Sequence, residues 1–186
     1  MTHVWDFPHF EGDMFTPAPG NEEVIIYNPV NMMRMGMGLC HDIDERYNFF
    51  EGCYSKWRRR NLPGGAIQHY LAVEPHTHLV NAYVFKMCPG CITSIQDVER
   101  SFTSIAKFHH DIHGVLRVPY RLDYFKAMDS DTWKLIMASL KILIREKSKL
   151  RVEIWYHKPG MTPVTISNPE LDPDTRLRII KETSRY

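Results

Sequence analysis

The chain is 186 residues long with 44% hydrophobic and 12% aromatic residues, which excludes a disordered polymer and suffices for one domain with a full core. Its 23 Lys and Arg against 22 Asp and Glu leave a formal charge of +1, which excludes a broadly basic nucleic-acid binder but not a local patch. No apolar run nears the ~18 residues of a membrane span, Met1 to Asp6 is unlike a signal peptide, and 4 Cys are too few for a disulfide framework, so a cytoplasmic protein with reduced thiols is expected.

Residues 3–10 suit a short strand that Pro8 restricts to an edge or a bulge. Glu11-Gly12-Asp13-Met14-Phe15 follows, then a turn-rich segment, Thr16-Pro17-Ala18-Pro19-Gly20-Asn21. Val24-Ile25-Ile26-Tyr27 is an apolar, β-branched run that fits a buried strand, ended by Asn28 and Pro29. Gly36 and Gly38 flank Met37, and from Leu39 the spacing turns helical, with Leu39, Ile43 and Tyr47 recurring every fourth residue. Strand, glycine turn and helix in that order can cradle a phosphate. Glycine lets the backbone approach an anion, and the first N–H groups of the helix point at it. The same glycines also suit a plain tight turn, so the rest of the chain has to decide.

Asn48 to Arg60 has helical spacing through Phe49, Phe50, Tyr54 and Trp57 and ends in Lys56, Arg58, Arg59 and Arg60. These cations suit a solvated helix end, with a phosphate or nucleic-acid patch as the alternative. After a turn at Leu62-Pro63-Gly64-Gly65, Ala66 to Val73 and His78 to Phe85 form a hairpin across Glu74-Pro75-His76-Thr77. Ile92 to His113 is expected as one helix with Gly114 as its stop. Its inward face is Ile95, Val98, Phe102, Ile105 and Phe108, with Asp97, Glu99, Arg100 and Lys107 outward. Val115 to Pro119 is a strand. Asp131 is the expected cap of a helix to about Lys147, with Trp133, Ile136, Leu140 and Ile144 inward. Leu150 to Tyr156 is a further strand. The tail from Lys158 is Pro-rich and then holds a short helix from Asp174 to Thr183, so a domain is expected at 1–157 and an extension at 158–186.

Alternating strands and helices predict an α/β fold with a mainly parallel central sheet, whose ligands bind outside the carboxyl ends of the strands. Asn28 to Gly38, Lys86 to Cys91 and Tyr120 to Asp129 converge at that end, which favours the phosphate-cradle reading. Cys88-Pro89-Gly90-Cys91 opens a helix and fits a redox pair or half a zinc site, but no second such pair exists and Cys40 and Cys53 lack the spacing. Among 10 His, His109 and His113 stand four apart on the expected helix and His76 and His78 in a turn. Without an H-E-x-x-H pattern a solvated helix end fits them better, and no metal is expected.

On these residues the chain resembles a macro domain, the α/β module that binds ADP-ribose, and within that superfamily the branch of the terminal ADP-ribose protein glycohydrolase. The likeness spans most of residues 10–156. Gly12-Asp13-Met14-Phe15 matches the family's Gly-Asp-Leu-Phe, and Arg34-Met35-Gly36-Met37-Gly38-Leu39 its Arg-Met-Gly-Ala-Gly-Ile loop. Lys86 ends a strand where that branch carries a catalytic lysine, and Val118-Pro119, a loop and Trp133 follow in family order. The resemblance implies a three-layer α/β/α sandwich with a mixed, mainly parallel sheet. It implies Asp13 and Met14 in the ligand site, with Asp13 accepting from the adenine amine. It implies residues 34–39 around the distal ribose and diphosphate, and Pro119, Arg121, Leu122, Tyr124 and Phe125 in the second phosphate loop. Asn28 and Asn31 either bond a ribose hydroxyl or cap the turn.

That second loop departs from the family's Gly-Cys-Gly core. Tyr120 to Asp129 has no glycine and about three extra residues, which crowd a cradle that depends on close approach. Either Arg121 and Lys126 replace backbone donors as charged phosphate contacts, or the ligand differs, or activity is lost. As a nucleophile, Lys86 must be neutral to attack the ribose C1″ of an ADP-ribosyl ester, and burial or a neighbouring cation would depress its pKa. An ordinary strand-end lysine is the alternative. Asp123, Asp129 and Asp131 compete for the general acid/base role.

Three function classes remain. One is a hydrolase that removes ADP-ribose from a protein, a nucleic acid or a small metabolite such as ADP-ribose 1″-phosphate. The second is a module that captures ADP-ribose or a related nucleotide without turnover, and the third is a redox protein built on the cysteine pair. Hydrolysis stands slightly ahead of capture. No cofactor is expected, the partner is ADP-ribose or an ADP-ribosylated macromolecule, nucleic acid enters only as a modified substrate, and no membrane is involved.

Overall fold

A computed structural model describes residues 7–31, 39–47, 63–85, 94–122 and 129–183. The described strands are β1 His9–Gly12, β2 Glu23–Asn31, β3 Ile67–Glu74, β4 Thr77–Phe85, β5 Gly114–Pro119, β6 Arg151–His157 and β7 Val164–Ile166. The described α-helices are α1 Leu39–Arg46, α2 Ile95–Phe108, α3 Ser130–Lys147 and α4 Pro173–Thr183. One sheet takes the strands in the order β3-β4-β2-β5-β6-β1-β7. The β4–β2, β2–β5, β5–β6 and β6–β1 ladders are parallel, and the two outer ladders, β3–β4 and β1–β7, are antiparallel. This is the mainly parallel sheet that the alternation of elements predicts, mixed as the resemblance implies.

Helices cover both faces because the strand residues alternate between two cores. Ile25 and Tyr27 of β2, Leu116 and Val118 of β5 and Val152 and Ile154 of β6 meet Val98, Phe102 and Ile105 of α2 and Trp133, Ile136, Leu140 and Ile144 of α3. Val24 and Ile26, one step out of phase, face the other way with Val115 and Trp155, against Leu39 and Ile43 of α1, Tyr47, and Met14 and Phe15. The result is an α/β/α sandwich. The inward positions of α1 and α3 follow the sequence periodicity.

Several boundaries differ from the sequence expectation. β2 runs to Asn31, past Asn28 and Pro29. β5 pairs only with Glu23 to Ile26, so beyond that point β2 has a single ladder, and a proline is tolerated as on an edge strand. β1 begins after Pro8 and lies inside the sheet, between β6 and β7. Pro8 interrupts no ladder there, and its carbonyl accepts from the Ile154 N–H at 2.9 Å. The edge belongs instead to β7, which the tail's prolines concealed. Gly12 makes this junction possible. Its φ is +147°, and a Cβ would stand 2.6 Å from the Pro163 Cα.

Helix α2 stops at Phe108, and Ser94 is its cap, with Oγ accepting from the Asp97 N–H at 3.1 Å. His109 and His113 therefore share no helix, and Gly114 is the first residue of β5 rather than a helix stop. A Cβ at Gly114 would meet the Glu23 carbonyl at 2.4 Å, so close strand approach explains this glycine. Phe108, at the helix end, is exposed and Asp97, expected outward, is buried with Arg100 at 3.2 Å. The cap of α3 is Asp129, not Asp131: Asp129 accepts from the Thr132 N–H at 2.8 Å and the Thr132 hydroxyl at 2.6 Å. The helix expected at 48–60 and the Cys88–Cys91 pair lie outside the described residues.

Candidate functional site

The parallel ladders point β1, β2, β4, β5 and β6 the same way, so Gly12, Asn31, Phe85, Pro119 and His157 bring their carboxyl ends to one edge. Each segment singled out in the sequence leaves one of those ends. Asp13 follows β1, the Arg34–Leu39 loop joins β2 to α1, Lys86 follows β4, and the Tyr120–Asp131 stretch joins β5 to α3. Arg34, Met35, Gly36, Met37, Gly38, Lys86, Asp123, Tyr124, Phe125 and Lys126 lie outside the described residues.

At the end of β1 the chain turns back on itself. The Asp13 N–H donates to the Met161 carbonyl at 2.8 Å. Its carboxylate accepts from the Phe15 N–H at 2.9 Å and the Gly160 N–H at 3.1 Å, with the Arg46 guanidinium 3.7 Å away. Asp13 is thus locked as an Asx-type turn, yet its side chain keeps 17% exposure. Each carboxylate oxygen retains a second lone pair. Met14 does not line this surface. It is fully buried in the core, its N–H donates to His157 Nδ1 at 3.2 Å, and its carbonyl accepts from Arg117 at 2.7 Å. The apolar neighbour read as a ligand contact is a core residue.

Two groups absent from the sequence reading hold this turn. Arg117, on β5, is 3% exposed and reaches under the turn to the Met14 and Thr16 carbonyls, Glu153 at 3.1 Å and the face of Trp155. Burial pushes the guanidinium's pKa down, and Glu153 opposes it. His157, at the end of β6, accepts the Met14 N–H on Nδ1, which assigns its proton to Nε2, 3.1 Å from Asp42 Oδ2 on α1 but out of line for a hydrogen bond. The signal for Arg117 was a single charged residue in an otherwise apolar strand, whereas His157 lies one residue past the expected end of its strand, where local sequence gives no such signal.

Helix α1 is tied to the sheet by its last turn. Arg46 and Tyr47 donate to Glu74 at 2.7 and 2.9 Å. The bond from Arg46 holds the Glu74 carboxyl below its ordinary value, against the opposing effect of burial. Leu39, the first residue of α1, is fully buried in the core. Asn28 neither caps a turn nor meets solvent. It is wholly buried within β2, donates to Asn81 Oδ1 at 2.7 Å and accepts from the Cys40 thiol at 3.4 Å, while Asn81 reaches Gln68 at 3.3 Å. A buried amide needs such partners, so this chain of amides links β2, β4 and β3 and replaces the ribose contact expected of Asn28. Asn31 is the last residue of β2.

After Pro119 the backbone kinks, with Arg121 and Leu122 at φ of +52° and +59°. Leu122 turns into the core, and Arg121 turns to the Glu170 carboxylate. Arg121 is thus engaged by a carboxylate of the tail where a phosphate contact was expected. Asp129 is spent on its cap, and the hydroxyl and N–H of Thr132 hold its carboxyl below the ordinary range, which suits it poorly to act as an acid. Asp131 is exposed in the first turn, 3.4 Å from Lys134. His76 and His78 both lie on Glu23, at 2.9 and 2.7 Å, and His109 is buried with Nδ1 3.0 Å from the Ile105 carbonyl. Among the described residues no group of His, Cys, Asp or Glu is placed to hold a metal ion, and no helix is long and apolar enough to cross a membrane.

No family model and no curated protein matches the chain by sequence. Solved structures do match. A protein from Bacteroides thetaiotaomicron superposes with a TM-score of 0.68 at 17% identity, covering 82% of this chain and 100% of its own. A macrodomain protein from Streptomyces coelicolor gives 0.60 at 15% identity, over 81% of this chain and 99% of its own. The macrodomain of Mycobacterium tuberculosis DarG gives 0.58 at 16% identity, over 74% and 90%. The chain has the macrodomain fold.

Proposed function

We propose that the chain recognises ADP-ribose, free or attached to a macromolecule, at the carboxyl edge of its sheet. The observation that carries this reading is Asp13. A carboxylate fixed by two backbone N–H groups, partly exposed and with lone pairs to spare, is preorganised to accept from an adenine amine without reorganising on binding. The macrodomain fold and the match of residues 12–15 and 34–39 to the family's ligand loops support it. Removal of ADP-ribose from a target is the finer reading and rests on Lys86 as nucleophile with one of Asp123, Asp129 and Asp131 as general acid/base. A module that captures ADP-ribose without turnover is the second reading. It is favoured by Asp129 and Asp131, since one is spent as a helix cap and the other stands exposed beside Lys134.

Calorimetric titration with ADP-ribose tests recognition, with Asp13→Ala and Asp13→Asn as parallel samples whose folding is checked by melting. Micromolar binding, about −8 kcal/mol, is expected for the parent chain, with a loss of roughly tenfold or more in Asp13→Ala. Equal affinity in all three would remove Asp13 from the site, and no heat from any would remove ADP-ribose as the ligand. Release of ADP-ribose from a modified substrate, abolished by Lys86→Ala, would then separate hydrolysis from capture.

A further inference from the structure

The kink after β5 builds a receptor for one carboxylate. Glu170 Oε1 accepts from the Tyr120 hydroxyl at 2.5 Å and from Arg121 through Nε at 2.9 Å and a terminal guanidinium nitrogen, and Oε2 accepts from the Ser130 hydroxyl at 2.7 Å. The Glu170 side chain is 2% exposed. Burial by itself would raise its pKa, but the bonds from Tyr120, Ser130 and Arg121 outweigh it and hold the carboxyl below its ordinary value. A guanidinium fork and two hydroxyls, one of them on the first residue of helix α3, make a donor set that fits phosphate as well as carboxylate. The two left-handed residues at 121 and 122 are strained for side chains other than glycine, and they aim Arg121 at this point.

The occupant comes from a short turn between β7 and α4. Glu170 N–H donates to Asn168 Oδ1 at 3.0 Å and Leu171 N–H to the Asn168 carbonyl at 2.9 Å, while the Leu171 side chain beside it is exposed. The flanks of the turn have anchors of their own. β7 pairs with β1, and α4 is held through Arg178 to Glu11 at 2.5 Å, with Lys158 bridging Glu11 and Glu182 at 2.8 Å each. Glu170 can therefore leave its donors without the tail detaching.

We propose that Tyr120, Arg121 and Ser130 form an anion-binding site that the chain fills in cis with Glu170, and that a phosphate-bearing ligand binds there by displacing this carboxylate. The tail then sets the affinity of the edge, through competition between an internal carboxylate at high effective concentration and an external anion. That the anion belongs to a nucleotide diphosphate rests on the reading of the preceding subsection; the site itself does not.

Titration of the full chain with inorganic pyrophosphate and, separately, with ADP-ribose tests the proposal in the parent protein, Glu170→Ala, Glu170→Gln and the double variant Arg121→Ala/Glu170→Ala. Pyrophosphate is expected to bind Glu170→Ala at least tenfold more tightly than the parent chain, with Glu170→Gln between them and the gain lost in the double variant. Should Glu170→Ala fail to fold, Glu170→Gln carries the same comparison, since its amide preserves size and one acceptor. No gain in either variant would make Glu170 a structural tether only and overturn the proposal, as would a gain that persists without Arg121. A pyrophosphate gain with no ADP-ribose binding in any protein would leave the anion site standing and remove ADP-ribose as its ligand. ADP-ribose binding without any pyrophosphate gain would do the reverse.

Discussion

His9 is the residue whose chemistry the fold changes most plainly. It is 6% exposed in β1, and burial drives its pKa from 6.5 to about 4, with the Phe7 backbone and the charge of Glu170 opposing only in part. The unfolded chain therefore binds a proton between those values that the folded chain refuses. Stability from this group is full above pH 6.5 and is lost as pH falls toward 4, by about 3 kcal/mol in all. His109, also lowered by burial, adds to the same slope. Melting temperature measured from pH 7.5 to 4 is expected to fall, and His9→Gln to flatten the fall; identical slopes in the two proteins would refute the assignment. The carboxylates of Glu11 and Glu170, both lowered, act in a separate window. Their contribution is present above the unfolded value of about 4.3 and is lost as pH drops through the folded one. None of this was visible residue by residue in the sequence. His9 stood in a stretch marked as an edge by Pro8, and nothing local says that β7 closes over it.

At the level of elements, periodicity carried α1 and α3 because an apolar side chain every third or fourth residue has one physical outcome, a buried stripe. Caps were harder. Asp129 and Asp131 both precede Trp133, and both are of the type that accepts from an N-terminal N–H. Only the backbone decides, since Asp129 is extended at φ −67° and ψ 156° and so aims its carboxylate at Thr132. Asp129→Ala is accordingly expected to lower the thermal midpoint and Asp131→Ala to leave it in place, a comparison that calorimetric melting settles directly. β2 outran its expected end for a different reason. Pro29 breaks a strand only where a neighbouring strand needs the N–H it lacks, and which neighbour extends that far is a property of the sheet.

Across the whole molecule, the segment after residue 158 is bound into the domain through a buried carboxylate. Glu11 is 4% exposed on β1, and its charge is met by Lys158 and by Arg178 of α4. Removing the segment takes away both cations that meet Glu11 and uncovers the β1 edge and the core beneath α4, and a domain held by only ~5–15 kcal/mol tolerates little such loss. β7 and the Ile179 contact would go with the two cations. A chain ending at residue 157 is therefore expected to lose its cooperative melt, and a truncated protein melting within a few degrees of the parent would show that the tail is dispensable.

By itself the sequence determined the alternation of strands and helices, the mainly parallel sheet and the gathering of the strands' carboxyl ends at one edge, with Asp13 directly after β1. Each of these depends on local spacing or on short motifs, which act over a few residues. The tertiary structure alone decided that Met14 and Leu39 are core, that Asn28 belongs to a chain of buried amides, and that Glu170 answers Arg121 from 49 positions away. Those outcomes depend on which polar groups are desolvated together, and desolvation is set by the packing of distant segments rather than by any residue's neighbours in the chain.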